Sequence, residues 1–187
     1  MSSARAKADQ RPLGAYYTPD ALARRLVGLL PILPAARVWE PHVGGGAFAR
    51  ALTATTRLMV SDIDPKAPGL MTAFSRSFVA DFLDHGRPHD QVDWIIGNPP
   101  FTGFEAHLDM ALNHAPNVAF LLRLAAMETA ARVPAWKRWP LKTCWVLAER
   151  PSFTGGGTDS CAYGWFWFCD RWPHGAEIHP GWSWRTP

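Results

Sequence analysis

Residues Ile95 to Phe101 read Ile-Ile-Gly-Asn-Pro-Pro-Phe, an apolar run that stops at an amide, two prolines and an aromatic ring. The prolines fix the backbone and remove two N–H donors, so the carbonyl groups near Asn98 and Pro99 can face a ligand as acceptors. Asn98 adds a side-chain acceptor, Pro100 rigidity and Phe101 a stacking face. Together they suit a flat ring bearing an amino group: acceptors hold its hydrogens and leave the nitrogen lone pair free to attack. The competing reading is a strand-ending turn, because Asn and Pro commonly punctuate strands.

A second set of candidates sits at the ends of earlier strands. Gly44-x-Gly46-x-x-Ala49 follows the short strand Arg37 to Glu40, where glycines let the backbone approach a ligand and the next helix presents unpaired N–H groups. The spacing also satisfies the loose dinucleotide fingerprint, so a nicotinamide cofactor is in contention. Asp62, roughly 20 residues beyond the first glycine, suits a carboxylate that accepts from ribose hydroxyls. Asp64, ahead of Pro65, reads as a solvated turn. Glu40, just before Pro41, suits an ammonium group, and Asp81 an adenine amino group with Phe82 packed beside it. Each acid alone reads as a surface residue. Their shared register fits a nucleoside with a charged amino-acid tail, S-adenosylmethionine.

The elements that must position these residues follow from apolar periodicity. A helix is expected over Ala21 to Leu30 and another over Ala47 to Ala54, with strands at Arg37 to Glu40, Leu58 to Ser61, Phe78 to Ala80 and Val92 to Ile96. Gly103 to His114 reads as a helix, Val118 to Leu122 as a strand and Leu124 to Arg132 as a helix. Thr143 to Ala148 and Ala162 to Phe168 are the last strands, joined by the glycine-rich loop Pro151 to Ser160. Strands alternating with helices imply an α/β fold with a mostly parallel sheet, and the final pair an antiparallel edge. Ligands of such sheets sit at the carboxyl ends of the strands, where Glu40, Asp62, Asp81 and Asn98 fall.

At 187 residues, 48% hydrophobic and 19% charged, the chain is sized for one domain. No apolar run reaches the roughly 18 residues of a membrane span. The polar, basic start Met1 to Arg11 has no apolar signal core, so a soluble, cytoplasmic protein is expected. Cys144, Cys161 and Cys169 form neither a disulfide framework nor a zinc pattern, and the histidines lack metal-ligand spacing, so no metal is expected. The formal charge of +3 favours a polyanionic partner weakly. Ten tryptophans are the larger anomaly; core is the first reading for Trp165 and Trp167. Lys137 and Arg138, between Trp136 and Trp139, read either as a nucleic-acid contact or as a solvated loop.

In this order the motifs resemble the amino-methylating nucleic-acid methyltransferases, most closely the adenine-N6 group with the cofactor-binding part first, including small phage and prophage adenine methylases. The resemblance is carried by Tyr16-Tyr17-Thr18-Pro19, by Glu40-Pro41-His42-Val43-Gly44-Gly45-Gly46-Ala47-Phe48 and by Asn98-Pro99-Pro100-Phe101, and spans residues 16 to about 170. It implies a Rossmann-like class I fold of seven strands with a catalytic domain over 13–170; residues 1–12 read as a flexible segment and 171–187 as a tail, and the expected absence of a separate target-recognition domain departs from the family pattern. Tyr17, Thr18 and Pro19 would contact the methionine part of S-adenosylmethionine, with Glu40, Pro41, Gly44 and Gly46 around it. Asp62 and Ile63 would meet the ribose, Asp81 and Phe82 the adenine. Asn98 and the Pro99 carbonyl would hold the target amino group, Pro100 completing the clamp and Phe101 stacking on the base. Phe153 stands either as a second base-gripping ring or as a loop anchor.

The expected partner is nucleic acid, DNA in the first instance, with short or relaxed specificity or a separate specificity partner; a homodimer is the other arrangement. RNA adenine, cytosine N4 and a protein glutamine amide remain open as substrates of the same chemistry. A nicotinamide oxidoreductase and a non-catalytic binding module are the readings from other classes.

Overall fold

Short apolar strands alternating with amphipathic helices build one eight-stranded sheet in the order β3-β2-β1-β4-β5-β7-β6-β8. The strands are β1 (Arg37–Glu40), β2 (Arg57–Asp62), β3 (Ser77–Val79), β4 (Trp94–Gly97), β5 (Asn117–Arg123), β6 (Leu141–Leu147), β7 (Tyr163–Cys169) and β8 (Glu177–Trp182). The helices are α1 (Asp20–Val27), α2 (Ala47–Leu52), α3 (Phe104–His114) and α4 (Val133–Arg138). This computed structural model describes residues 16–52, 56–71, 76–84, 91–153, 159–172 and 174–185. The expected flexible segment 1–12, His85, His89 and the middle of the glycine-rich loop lie outside the described residues.

β3, β2, β1, β4 and β5 run parallel, so their carboxyl ends form one rim. β7 runs antiparallel to both β5 and β6. The sequence anticipates seven strands, and the structure has an eighth: Glu177–Trp182, within the expected tail, pairs in parallel with β6. Pro180, Gly181 and an almost wholly exposed run hide this strand from period-two reading.

Two apolar layers clamp the sheet. On one face Leu22, Leu26, Phe48 and Leu52 from α1 and α2 pack with Tyr163, Trp165 and Trp167. On the other, Phe104, Leu108 and Ala111 from α3 pack with Phe120, Phe166 and Phe168. Side chains alternate across a strand, so β7 feeds tryptophans to one layer and phenylalanines to the other. Trp165 is fully buried and stacks on Phe48, centroids 5.3 Å apart at 9°, as the core reading expects.

α1 starts directly after Pro19, with Asp20 in its first turn and Arg24 and Arg25 in its last, complementing the helix dipole. The helix expected over Leu124 to Arg132 is instead two 3-10 turns, Leu124–Met127 and Ala130–Arg132. Between them Thr129 takes φ 83°, while Arg132 and Trp136 donate to the carbonyls of Ala125 and Ala126 that a continuous helix would use. No helix of the described residues is long and apolar enough to cross a membrane.

A turn at Pro68–Met71 pins the glycine loop, with Gly69 N–H donating to the Gly44 carbonyl at 2.8 Å. A Cβ on Gly69 would stand 2.5 Å from Val43 Cγ2 and 3.0 Å from both Gly44 O and Gly46 Cα. Gly69→Ala is therefore expected to cost about 1–3 kcal/mol of stability. Urea denaturation measures it, and an unchanged midpoint would show that the turn is not seated this closely.

Candidate active site

At the strand-end rim lies a cavity of about 280 Å³. Most of the candidate residues line it: Tyr17, Pro41, Gly44, Asp62, Ile63, Asp81, Phe82 and the whole run Asn98 to Phe101. Thr18 and Glu40 border an adjoining recess of about 20 Å³, which also reaches Asn98. Gly46 shapes the loop from behind, at φ 80° with its N–H on the Val43 carbonyl at 2.7 Å. Pro19 receives the Ala23 N–H at the head of α1 and is not among the residues lining the cavity.

The glycine loop is tied at several points. Gly44 N–H donates to Asp62 Oδ2 at 2.8 Å, and Asp64 N–H to Asp62 Oδ1 at 2.9 Å. Each carboxylate oxygen keeps further lone-pair capacity toward the cavity. Burial raises the Asp62 carboxyl above its ordinary range, although these backbone bonds pull the other way. Arg50 holds the Gly45 carbonyl at 2.8 Å and Asp20 at 2.6 Å, joining the loop to α1. The Tyr17 ring lies flush on the loop: a Cβ on Gly44 or Gly45 would come within 3.2 Å of it.

Among the described residues, the buried side-chain polar atoms without a hydrogen-bond partner include Glu40 Oε2 and Asn98 Oδ1 of the candidate set and His42 Nδ1 at the cavity, besides His114 Nε2, Ser152 Oγ and Trp165 Nε1, which do not line it. Glu40 is 1% exposed, and burial, with the neighbouring Asp62, raises its carboxyl well above the usual range. Such a group takes up charge when a cation arrives beside it. Asn98 is held by its other end, Nδ2 donating to the Tyr16 carbonyl at 3.2 Å and to Thr18 Oγ1 at 3.3 Å. With both amide hydrogens used behind it, Oδ1 is the atom left for a ligand donor.

His42 and His107, to which the sequence assigned no role, both line the cavity, with Nε2 and Nδ1 2.8 Å apart. Burial holds both imidazoles below their ordinary range, so one neutral ring donates to the other. Phe82 is a core ring as well as a cavity wall, 2% exposed and 5.9 Å from His107 in a stacked arrangement. Local spacing gives no signal for the histidine pair, 65 residues apart.

Three candidates lie elsewhere. Phe153 is 5% exposed, against Tyr163 at 5.1 Å and Tyr16 at 6.0 Å; here it anchors its loop and does not line the cavity. Lys137 and Arg138 are exposed on the last turn of α4 rather than in a loop, with Arg138 3.4 Å from Asp109. The flanking rings are not base platforms: Trp139 is buried with Nε1 on Asp109 at 2.7 Å, and Trp136 packs on Phe166 and Phe168. Among the described residues no cluster of His, Cys, Asp or Glu is arranged to hold a metal.

This sheet order, with a single antiparallel strand beside β5 and the cavity at the parallel strand ends, is the class I fold of S-adenosylmethionine-dependent methyltransferases. A protein from Listeria monocytogenes described as a class I S-adenosylmethionine-dependent methyltransferase superposes with TM-score 0.74 over 96% of this chain and 70% of its own, at 12% identity. A protein described as an RNA methyltransferase from Pyrococcus horikoshii gives 0.69 over 88% and 93%, at 17%. A type I restriction-modification methyltransferase subunit from Streptococcus thermophilus gives 0.65 over 86% and 46%, at 15%. In sequence the chain is 38% identical over 98 residues to the type II methyltransferase M.TthHB8I of Thermus thermophilus, a match spanning 50% of this chain and 22% of that protein. No family model matches the sequence.

The position of Glu40 sets a pH dependence. An acid whose folded pKa is raised contributes stability below the ordinary carboxylate range and loses it as pH rises through the folded value. Glu40→Gln is therefore expected to melt about 5 °C above the wild type near pH 8, the gap closing toward about pH 4. Thermal denaturation across pH tests this; a gap that does not vary with pH would mean that Glu40 is not a strained acid.

Proposed function

We propose that this chain transfers a methyl group from S-adenosylmethionine to an exocyclic amino nitrogen, adenine N6 in DNA. The observation that carries the reading is that two candidate residues bordering the same recess beside the cavity, Glu40 and Asn98, each hold a buried acceptor with no partner among the described residues, Oε2 and Oδ1. Left alone each costs about 1–3 kcal/mol, an expense that a ligand donor removes. The first suits the ammonium of the cofactor's amino-acid tail, the second an N–H of the target.

S-adenosylmethionine, when bound, supplies an electrophilic methyl group on a sulfonium. Tyr17, Thr18 and the glycine loop would bear its methionine part, Asp62 and Ile63 its ribose, and Asp81 with Phe82 its adenine. Asn98 Oδ1 and the Pro99 carbonyl then accept from the two amino hydrogens. An aromatic amine shares its lone pair with the ring, and these two bonds favour the tetrahedral nitrogen that attacks while fixing its direction. Phe101 gives the extruded base a face to stack on, offsetting part of the few kcal/mol of unstacking.

The DNA assignment is supported by the motif order and by the type II methyltransferase relative. Recognition of flanking sequence is assigned to a second subunit, supported by the subunit role that names the Streptococcus protein. The catalytic domain, expected over 13–170, is assigned to run on through β8, Glu177–Trp182, whose pairing with β6 makes it part of the same sheet. Transfer of labelled methyl groups to DNA, RNA and protein, followed by digestion and mass analysis, tests the substrate. N6-methyldeoxyadenosine is the expected product; N4-methylcytosine, a ribonucleoside or methylglutamine would overturn the assignment. Asn98→Ala should lower turnover by at least about 100-fold while S-adenosylmethionine affinity stays within about threefold; retained turnover would remove Asn98 from the reaction.

A further inference from the structure

Beside the cavity, on the sheet face that carries α1 and α2, four aromatic rings meet one cation. Tyr16, Phe101, Phe153 and Tyr163 contact one another with centroids 5.1 to 6.2 Å apart. Arg123 ends β5 directly opposite Tyr163, the first residue of β7. Its guanidinium lies over the Phe101 ring, Cζ 4.3 Å from the centroid. Gly97 is paired with Phe120 in the β4–β5 register, so the chain leaving β4 as Asn98 to Phe101 runs alongside the β5 end that Arg123 closes.

Arg123 is held from behind by a chain of fixed direction. Its Nε–H donates to the Tyr163 hydroxyl at 3.2 Å, and that hydroxyl donates to Asp159 Oδ2 at 2.7 Å. Burial raises the Tyr163 phenol well above its ordinary range, so it keeps the hydrogen this relay requires. Asp159 Oδ2 also stands 3.9 Å from the Arg123 guanidinium, and the two side chains are only 14% and 33% exposed. A planar guanidinium can lie flat on a ring and bond through Nε at once, whereas a lysine ammonium keeps the charge but loses the plane and the fork.

We propose that Arg123 is a positioning residue for the target base: clamped by Tyr163 and Asp159, it fixes the Phe101 ring so that the ring is presented to the base entering the cavity. The inference rests on the methyl-transfer reading of Asn98 to Phe101 and adds three residues that act through Phe101 without touching the reacting atoms. Its signature is selective. S-adenosylmethionine meets other walls of the cavity, so loss of Arg123 weakens engagement of the nucleic acid and leaves cofactor affinity in place.

The test is steady-state kinetics on duplex DNA together with calorimetric titration of S-adenosylmethionine, using full-length protein. Arg123→Met is expected to raise KM for DNA roughly tenfold, with S-adenosylmethionine affinity within about twofold. Arg123→Lys should rescue little of this. Tyr163→Phe keeps the ring packing and removes only the hydroxyl, so it should shift KM in the same direction and serves where the Met variant fails to fold. In a Phe101→Ala background the Arg123→Met effect should vanish, which a general loss of stability would not produce. Unchanged KM in Arg123→Met or Tyr163→Phe beside an active wild type, or an effect that persists without Phe101, overturns this inference alone. A wild type that transfers no methyl group to any substrate overturns the functional reading, and this inference with it.

Discussion

The hydrogen bond from Gly44 N–H to the Asp62 carboxylate joins the end of β2 to the loop that leaves β1. Gly69 holds the same glycine by its carbonyl, so the peptide groups on both sides of Gly44 are fixed before any ligand arrives. At φ 46° this residue occupies a backbone region that a side chain would strain. Once the loop is set, the seat of Tyr17, the start of α2 and the floor of the cavity follow from it. Asp62 thereby shapes the loop while lining the cavity.

The rim above carries the opposite kind of feature, polar atoms left unsatisfied inside the protein. Most buried acceptors in a folded chain are paired, and those that are not are concentrated where structure gives way to chemistry. Glu40 and Asn98 are such exceptions. The two apolar layers of the sheet, with their fully buried Trp39, Trp165, Phe120 and Phe166, supply the stability against which those exceptions stand. Asn98 shows how little is needed to aim one: a backbone carbonyl and a threonine hydroxyl from the segment before α1 set which end of the amide faces the cavity.

Much of this was legible in the sequence because it is local. Glycines after a strand, acids at strand ends and the Asn-Pro-Pro-Phe run each announce themselves within a few residues, and the sheet brings them together as the alternation of strands and helices implies. What escaped depends on register between distant segments. His42 meets His107 through the packing of α3 on the sheet, and Arg123 meets Phe101 and Tyr163 through strand pairing, contacts that no spacing rule encodes. The tryptophans around Lys137 and Arg138 misled for a related reason. A basic stretch with aromatic neighbours has the composition of a nucleic-acid contact, yet the rings face inward from a short helix whose start was hidden by broken 3-10 turns. β8 escaped because an exposed strand containing Pro180 and Gly181 borrows its conformation from β6.

The antiparallel placement of β7 also bears on the order in which the sheet can be completed. β7 sits between β5 and β6 although it follows both in the chain, and it is covered on each face. Until it is synthesised, β5 and β6 cannot be bridged, and each presents an unpaired backbone edge flanked by apolar side chains, the kind of surface on which chains associate wrongly. The strands whose ends line the cavity are encoded before this closure, whereas Tyr163 arrives with it. The parallel strands that line the cavity can therefore take shape ahead of the ring cluster around Tyr163, and a chain interrupted before β7 leaves those edges open to wrong association.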